Sequence, residues 1–215
     1  MQNIKGVIFD LDGTIANTLP MCIAAFRKSI EPLTGKAVSD EEIVATFGPS
    51  EEGTIMALAP DYYDEGVAAY LRYYEELHHM CSQPFEGIVR LLETLKDNGV
   101  RLAMVTGKGK NSADISMDKF GITSYFEKIE TGHPGGPRKV EGIRACMDFF
   151  GDLDKSEVVY IGDAPSDIES CRVAGVPIVA AAWAETAEPE KLEALQPDVL
   201  FYDVENFSAW LQSRI

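Results

Sequence analysis

Two aspartates separated by one residue are the first feature of the sequence that could do chemistry. Asp10 and Asp12 follow the apolar run at residues 4–9 and precede Gly13, which is typical of a turn. Because side chains alternate faces along a strand, both carboxylates point the same way if the strand continues through Leu11. Paired carboxylates at a strand end suit acid–base chemistry or a divalent cation. A calcium-binding EF-hand loop is excluded, because its glycine and terminal glutamate are missing at loop spacing.

A second acidic pair lies within residues 162–167. Asp163 follows the apolar run at residues 158–161, so it also lies at the end of a predicted strand. Asp167 comes at the start of a predicted helix, where an aspartate also serves as an N-terminal cap. In open parallel sheets, ligands bind at the carboxyl ends of the strands. The two acidic pairs are therefore predicted to share one site.

Three further residues are suited to phosphate oxygens. Thr106 and Gly107 follow the apolar run at residues 101–105, where a hydroxyl and free backbone N–H groups would meet an anion. Lys139 begins a predicted helix after a loop rich in glycine and proline, and it would add one positive charge. Together these residues are suited to hold phosphate oxygens beside the carboxylates, whereas Lys139 taken alone is more typical of a solvated residue at a helix start.

The elements that must position these residues alternate between strand and helix. Five short runs have the length and the aliphatic content of buried parallel strands, namely residues 4–9, 100–105, 158–161, 176–180 and 199–201. Helical patterns that end at glycine separate them from residue 83 onward. This alternation predicts an α/β fold with a doubly wound, Rossmann-like parallel sheet. Residues 17–82 carry helical patterns and no strand-like run, which predicts an inserted helical subdomain.

Composition excludes several classes of partner. The chain has 215 residues, a formal net charge of −16 and a hydrophobic content of 46%, as in an ordinary soluble protein. So acidic a surface repels nucleic-acid backbones and anionic lipid, and we expect neither as a partner. No signal peptide or membrane-spanning run is recognisable, and the four cysteines lack metal-type spacing. We therefore expect a cytoplasmic protein with reduced, buried thiols.

Four stretches occur in the order typical of one enzyme superfamily. They are Val7-Ile-Phe-Asp-Leu-Asp-Gly-Thr14, Val105-Thr-Gly-Lys108, Lys139 at the head of its helix, and Gly162-Asp-Ala-Pro-Ser-Asp167. The first and last stretches are specific motifs. The middle two are short and support the assignment only through their order and spacing. The chain resembles the haloacid-dehalogenase superfamily, in the layout of its phosphoglycolate phosphatase and β-phosphoglucomutase group. The resemblance implies an α/β core of residues 1–16 and 83–215, with a helical cap at residues 17–82.

The resemblance also implies a Mg²⁺-dependent phosphatase that acts on a small-molecule phosphate monoester. Asp10 would attack phosphorus and form an aspartyl-phosphate. Asp12 would protonate the leaving alcohol and then activate water. Mg²⁺ would be held by Asp10, the backbone carbonyl of Asp12 and Asp163, while Asp167 would support it through water. The residues that would bind the transferring phosphoryl group are Thr106, Gly107 and Lys139.

The sequence offers two candidates for the motif lysine and two interpretations of one loop. A valine follows Lys139 where many relatives have proline, so Lys108 is the alternative motif lysine. The loop before the third helical pattern either sets specificity or is an ordinary helix–helix turn, and its candidate specificity residues are Gly48, Ser50 and Glu51. His78 and His79, at the end of a predicted cap helix, are expected to face solvent.

Two other functions remain open at this point. A phosphomutase of the β-phosphoglucomutase type would use nearly the same site, and a non-catalytic binder of phosphorylated ligands would keep the same fold. Retention of both Asp10 and Asp12 argues against the binder, and also against dehalogenase chemistry, whose enzymes lack the second aspartate. The expected partner is a small phosphorylated metabolite, and the expected state is a monomer or homodimer.

Overall fold

A computed structural model describes residues 3–215 as a six-stranded, wholly parallel sheet with helices on both faces. The strands are β1 (Gly6–Phe9), β2 (Arg101–Val105), β3 (Lys128–Glu130), β4 (Val158–Gly162), β5 (Ile178–Ala181) and β6 (Val199–Phe201). Their order in the sheet is β3-β2-β1-β4-β5-β6. The predicted α/β fold is confirmed, although only five of these strands are predicted from the sequence. Strand β3 escapes prediction because it is three residues long at the sheet edge and two of its residues are charged.

Ten α-helices lie in the described part of the chain. They are α1 (Leu19–Thr34), α2 (Asp40–Val44), α3 (Glu51–Leu58), α4 (Tyr63–Glu76), α5 (Ile88–Asp97), α6 (Lys110–Phe120), α7 (Lys139–Phe150), α8 (Pro165–Ala174), α9 (Pro189–Ala194) and α10 (Val204–Gln212). Helices α1–α4 come between β1 and the rest of the sheet, and we call them the inserted helices. The remaining helices and the sheet are called the core.

Burial on both faces explains why the strands read as continuous apolar runs. In β1, Val7 and Phe9 pack in one apolar cluster with Leu91 of α5, while Ile8 packs in a second cluster with Ile143 of α7. All five side chains are buried. Because alternate residues face opposite layers of helices, neither face of the strand needs polar residues.

Aromatic residues hold the inserted helices together. The rings of Phe26 in α1 and Tyr70 in α4 stack with their centroids 4.2 Å apart, and Tyr74 continues the stack along α4. Tyr70 and Tyr74 are both buried, so the tyrosines at these positions serve packing.

A polar contact joins α4 to the core. The hydroxyls of Tyr74 and Ser116 in α6 lie 2.6 Å apart, and a ring nitrogen of His78 is 3.2 Å from the same Ser116 oxygen. The prediction that His78 faces solvent is wrong, because its ring packs between Tyr74 and Phe120 in this interface. His79 is exposed, as expected.

Two expectations about the whole chain concern membranes and thiols. Within residues 3–215, every helix is too short or too polar to cross a bilayer. The four cysteines, Cys22, Cys81, Cys146 and Cys171, are buried and free, as expected.

Candidate active site

The predicted site lies where the strand order reverses. The chain runs outward from β1 to β2 and β3 and then returns to place β4 on the other side of β1. Asp10 follows β1 and Asp163 follows β4, and the backbone N–H of Asp10 donates to the carbonyl of Ile161 at 2.9 Å. Ligands of open α/β sheets bind at such a reversal. The structure thus brings the two acidic pairs to one crevice.

Three carboxylates converge in this crevice. One oxygen each of Asp10, Asp163 and Asp167 lies within 4.8 Å of the others. Asp163 accepts a hydrogen bond from the Thr14 hydroxyl at 3.0 Å. Asp167 is fully buried and accepts from the Tyr160 hydroxyl at 3.0 Å. It also accepts from the N–H of Ala164 at the start of α8, so it caps the helix as well as joining the cluster.

The turn after β1 requires a glycine for this convergence. Gly13 has a φ of +74°, which is unfavourable for residues with a side chain. A Cβ atom at this position would also collide with the carboxylate of Asp163. The glycine therefore lets the Asp10–Asp12 segment approach the end of β4.

Lys139, the first residue of α7, supplies positive charge to this cluster. Its ammonium donates to Asp10 Oδ2 at 2.5 Å and also to Asp167. Burial opposes the charge on Lys139, yet the two carboxylates raise its pKa above the usual value. Of the two candidate lysines, Lys139 is therefore the one that contacts Asp10.

Burial alters the acidity of the carboxyl groups. It raises the pKa of Asp10 to about 7, although the Lys139 ammonium opposes the shift. Burial together with the charges of Asp10 and Asp167 raises the pKa of Asp163 well above its usual range. One ammonium thus leaves three clustered carboxylates short of positive charge. Hard oxygen ligands with excess negative charge fit a divalent cation, so the cluster has the donor set of a metal site.

Lys108 lies at the other aspartate of the first pair. Its ammonium is 3.3 Å from Asp12 Oδ1 and 3.2 Å from Cys22 Sγ. It also lies 4.5 Å from the centroid of the Tyr74 ring. The side chain is 4% exposed, so this is a buried cation. Asp12 accepts a hydrogen bond from the Thr18 hydroxyl, just before α1.

The predicted phosphate-binding turn follows β2. Thr106 is buried, and its hydroxyl accepts from the backbone N–H of Lys108 at 3.2 Å. The backbone N–H of Gly132 donates to the Lys108 carbonyl at 2.7 Å, so the loop rich in glycine and proline packs against this turn. Gly107 lines the cavity described below, whereas Thr106 is not among the described residues that line it.

A cavity of about 490 Å³ lies between this edge of the sheet and the inserted helices. The core contributes charged residues to its wall, including Asp10, Asp12, Lys108, Lys139 and Asp163. The inserted helices and the loop between α2 and α3 contribute mainly apolar residues, including Phe26, Phe47 and Tyr70. Its size suits a small ligand whose polar end faces the core. A larger depression between α5 and α10, of about 800 Å³, contains none of these charged residues.

The loop before α3 contributes to the cavity and to the contact between the inserted helices and the core. Gly48 and Glu51 line the cavity, whereas Ser50 is buried beside it and its backbone N–H donates to the carbonyl of His133. Glu51 accepts from the backbone N–H of Gly109 and from the Ser112 hydroxyl, each at 2.6 Å. Glu51 lies in the first turn of α3, as an ordinary helix–helix turn would place it, but its carboxylate binds the N-terminus of α6.

Several residues that hold the aspartates are not singled out from the sequence. Thr14 and Thr18 donate to Asp163 and Asp12, and Tyr160 donates to Asp167. The two threonines follow the paired aspartates within a few positions, which is the one signal that could identify them. Tyr160 gives no such signal, because a tyrosine inside a predicted strand is indistinguishable from a packing residue.

Comparisons with known proteins agree with this geometry. The sequence model of haloacid dehalogenase-like hydrolases matches residues 7–181. A pyrophosphatase PpaX of Bacillus pumilus is 30% identical over 207 residues, which cover 93% of this chain and 92% of that protein. A phosphoglycolate phosphatase of Thiobacillus denitrificans is 30% identical over 187 residues, covering 81% of this chain and 82% of that protein.

Solved structures share the whole fold. A hydrolase of the haloacid dehalogenase-like family from Streptococcus pneumoniae superposes with a TM-score of 0.79 at 26% identity. The match covers 99% of this chain and all of that one.

Proposed function

The chain belongs to the haloacid dehalogenase-like hydrolases and is a phosphatase, and from this premise we propose that it is a Mg²⁺-dependent enzyme with Asp10 as its covalent nucleophile. The observation that supports this proposal most directly is the arrangement around Asp10. Its Oδ1 accepts the N–H of Leu11 at 2.7 Å, and its Oδ2 accepts the Lys139 ammonium. The carboxylate is thereby fixed in orientation at the floor of the cavity.

The proposed reaction has two displacements at phosphorus. In the first, an oxygen of Asp10 forms a bond to phosphorus while the bond to the leaving oxygen breaks, and Asp12 gives that oxygen its proton. In the second, Asp12 takes a proton from water, the water oxygen bonds to phosphorus, and the bond to Asp10 breaks. Inorganic phosphate leaves, and both aspartates return to their starting states.

Positive charge has to compensate the phosphoryl oxygens in both steps. Lys139 lies close enough to Asp10 to serve this purpose, and Thr106 and Gly107 follow the adjacent strand β2. We assign Mg²⁺ to Asp10, Asp163 and the backbone carbonyl of Asp12, with Asp167 in support. When bound, Mg²⁺ would supply the remaining positive charge beside the transferring group.

We assign residues 17–82 to a cap over a core of residues 1–16 and 83–215. The support for this division is that the cavity has walls from both parts and that Gly48 and Glu51 line it from the inserted side. A cavity of about 490 Å³ suits a small phosphorylated metabolite. The names of the relatives make pyrophosphate and phosphoglycolate the first compounds to test.

The test is release of inorganic phosphate from p-nitrophenyl phosphate, pyrophosphate and phosphoglycolate, with Mg²⁺ and with EDTA. We expect release with Mg²⁺ only, and we expect Asp10→Asn to abolish it. Asp148→Asn, at an exposed position of α7, is the matched control and should keep the wild-type rate. Equal activity of Asp10→Asn and wild type would contradict the proposal.

The alternative, a phosphomutase, differs in what accepts the phosphoryl group from Asp10. A mutase returns it to a sugar hydroxyl, so phosphate does not accumulate and turnover requires a bisphosphorylated sugar. Stoichiometric release of phosphate from a monoester, without any bisphosphate, separates the hydrolase from the mutase.

A further inference from the structure

The proposed reaction gives no role to one of the two lysines that line the cavity. Lys139 serves Asp10, whereas Lys108 is a second buried ammonium at the opposite aspartate, Asp12. Burying an ammonium is costly unless strong partners compensate the charge. Among the described residues, Asp12 is the one carboxylate within 4.0 Å of Lys108.

The other neighbours of Lys108 are weak partners. Cys22 Sγ is a poor hydrogen-bond acceptor. The Tyr74 ring offers a modest attraction through its face. Glu51, the remaining acidic group on this side of the cavity, is bound to Gly109 and Ser112. The ammonium therefore retains the capacity for another strong acceptor, and it lines the cavity where a ligand would meet it.

We propose that Lys108 binds a second anionic group of the substrate, so that the preferred substrates are phosphate esters or anhydrides whose leaving group itself carries a carboxylate or a phosphate. This inference rests on the proposed function, because it takes Asp12 to be the residue that protonates the leaving oxygen. Lys108 lies 3.3 Å from that carboxylate, so its ammonium is within reach of a charged group a few atoms from the leaving oxygen. Lys139 thus binds beside the nucleophile, and Lys108 binds the anionic group of the leaving group.

The negative charge of the cavity wall accounts for this selectivity. The carboxylates of Asp10, Asp163 and Glu51 line the cavity and repel any further anion. A substrate with a second negative charge needs a dedicated cation, whereas one with a neutral leaving group does not. Apolar side chains from the inserted helices line the same cavity and would exclude water from the contact between Lys108 and the second anionic group.

The test compares two substrates of similar size. Phosphoglycolate has a leaving group with a carboxylate, and 2-hydroxyethyl phosphate has a neutral one. The wild-type enzyme should show a kcat/KM at least ~10-fold higher for phosphoglycolate, as expected for one charge-assisted contact. Lys108→Met should lower kcat/KM for phosphoglycolate by ~30-fold or more, mainly through KM, because a buried charge pair is lost. For 2-hydroxyethyl phosphate we expect a loss at least ~10-fold smaller, because this substrate offers Lys108 no second anion and only the contact between Lys108 and Asp12 is removed.

Two controls separate substrate binding from other roles. Lys108→Arg keeps the charge and should recover part of the selectivity. Lys110→Met removes an exposed lysine that pairs with Asp114 on α6, and it should leave kcat/KM unchanged for both substrates. A fall in kcat/KM of equal size for both substrates would overturn the inference, since it would mean that Lys108 acts only through Asp12.

The comparison of the two substrates with the wild-type enzyme needs no variant, so it can overturn the inference even if Lys108→Met does not fold. Equal kcat/KM for the two compounds, with Mg²⁺-dependent release that Asp10→Asn lacks, would overturn the inference and leave the proposed function standing. Absence of phosphate release from every substrate, pyrophosphate included, would overturn both.

Discussion

Replacing Glu51 with alanine should loosen the contact between the inserted helices and the core. The buried carboxylate of Glu51 accepts two hydrogen bonds of 2.6 Å, from the Gly109 N–H and the Ser112 hydroxyl. Hydrogen bonds to a charged group contribute about 1.5–3 kcal/mol each. Water that enters from the cavity would replace part of this interaction in the variant. We therefore expect the free energy of unfolding to fall by about 3 kcal/mol.

Urea unfolding followed by circular dichroism measures this change. Glu65→Ala is the matched control, because Glu65 also lies in the first turn of an inserted helix but is exposed. The control should change stability by less than ~0.5 kcal/mol. Hydrogen exchange locates the effect, since the Gly109 N–H loses its acceptor and should exchange faster in Glu51→Ala. If Glu51→Ala and Glu65→Ala had equal stability and the Gly109 amide kept its protection, the contact would not hold the two parts together.

Variants of Lys139, Asp12 and Gly13 also test the site. Lys139→Met should lower the free energy of unfolding in EDTA by ~3 kcal/mol, because Asp10 and Asp167 lose their buried partner. Urea unfolding measures this change and should show a smaller loss when Mg²⁺ is present. A variant with wild-type stability in EDTA would contradict the expectation. Lys139→Ala should abolish phosphate release, and if Lys108→Ala abolished it instead while Lys139→Ala did not, the assignment of the motif lysine would be wrong. Asp12→Ala should slow substrates with poor leaving groups more than p-nitrophenyl phosphate, which kcat values measure; equal slowing would argue against a role in protonating the leaving group. Gly13→Ala should cost at least ~1 kcal/mol of stability from the left-handed backbone alone, and a variant as stable as wild type by thermal unfolding would show that the turn tolerates a side chain.

The convergence of Asp10 and Asp163 could be predicted because both residues follow predicted strands of one parallel sheet. Apolar runs identify buried strands, and residues just beyond parallel strands meet at one edge of the sheet. Strand β3 could not be predicted in the same way, since Lys128, Ile129 and Glu130 form a short edge strand with no apolar run. Intrinsic strand propensity is a weak guide where an edge strand forms by pairing with its neighbour, as β3 does with β2.

Contacts across the interface between the inserted helices and the core could not be predicted. Lys108 is a candidate from the sequence, but its contacts with Cys22 and Tyr74 depend on how α1 and α4 dock. The burial of His78 and the reach of Glu51 to α6 have the same origin. Such contacts join residues far apart in sequence, so no local spacing encodes them.

Trapping the phosphorylated enzyme tests the central claim most directly. Enzyme mixed with Mg²⁺ and radiolabelled pyrophosphate, or another substrate that it turns over, is quenched in acid within a single turnover and digested for peptide mass analysis. We predict one phosphoryl group on the peptide that contains Asp10, and none in Asp10→Asn. A phosphoryl group on another residue, or wild-type turnover by Asp10→Asn, would contradict covalent catalysis by Asp10.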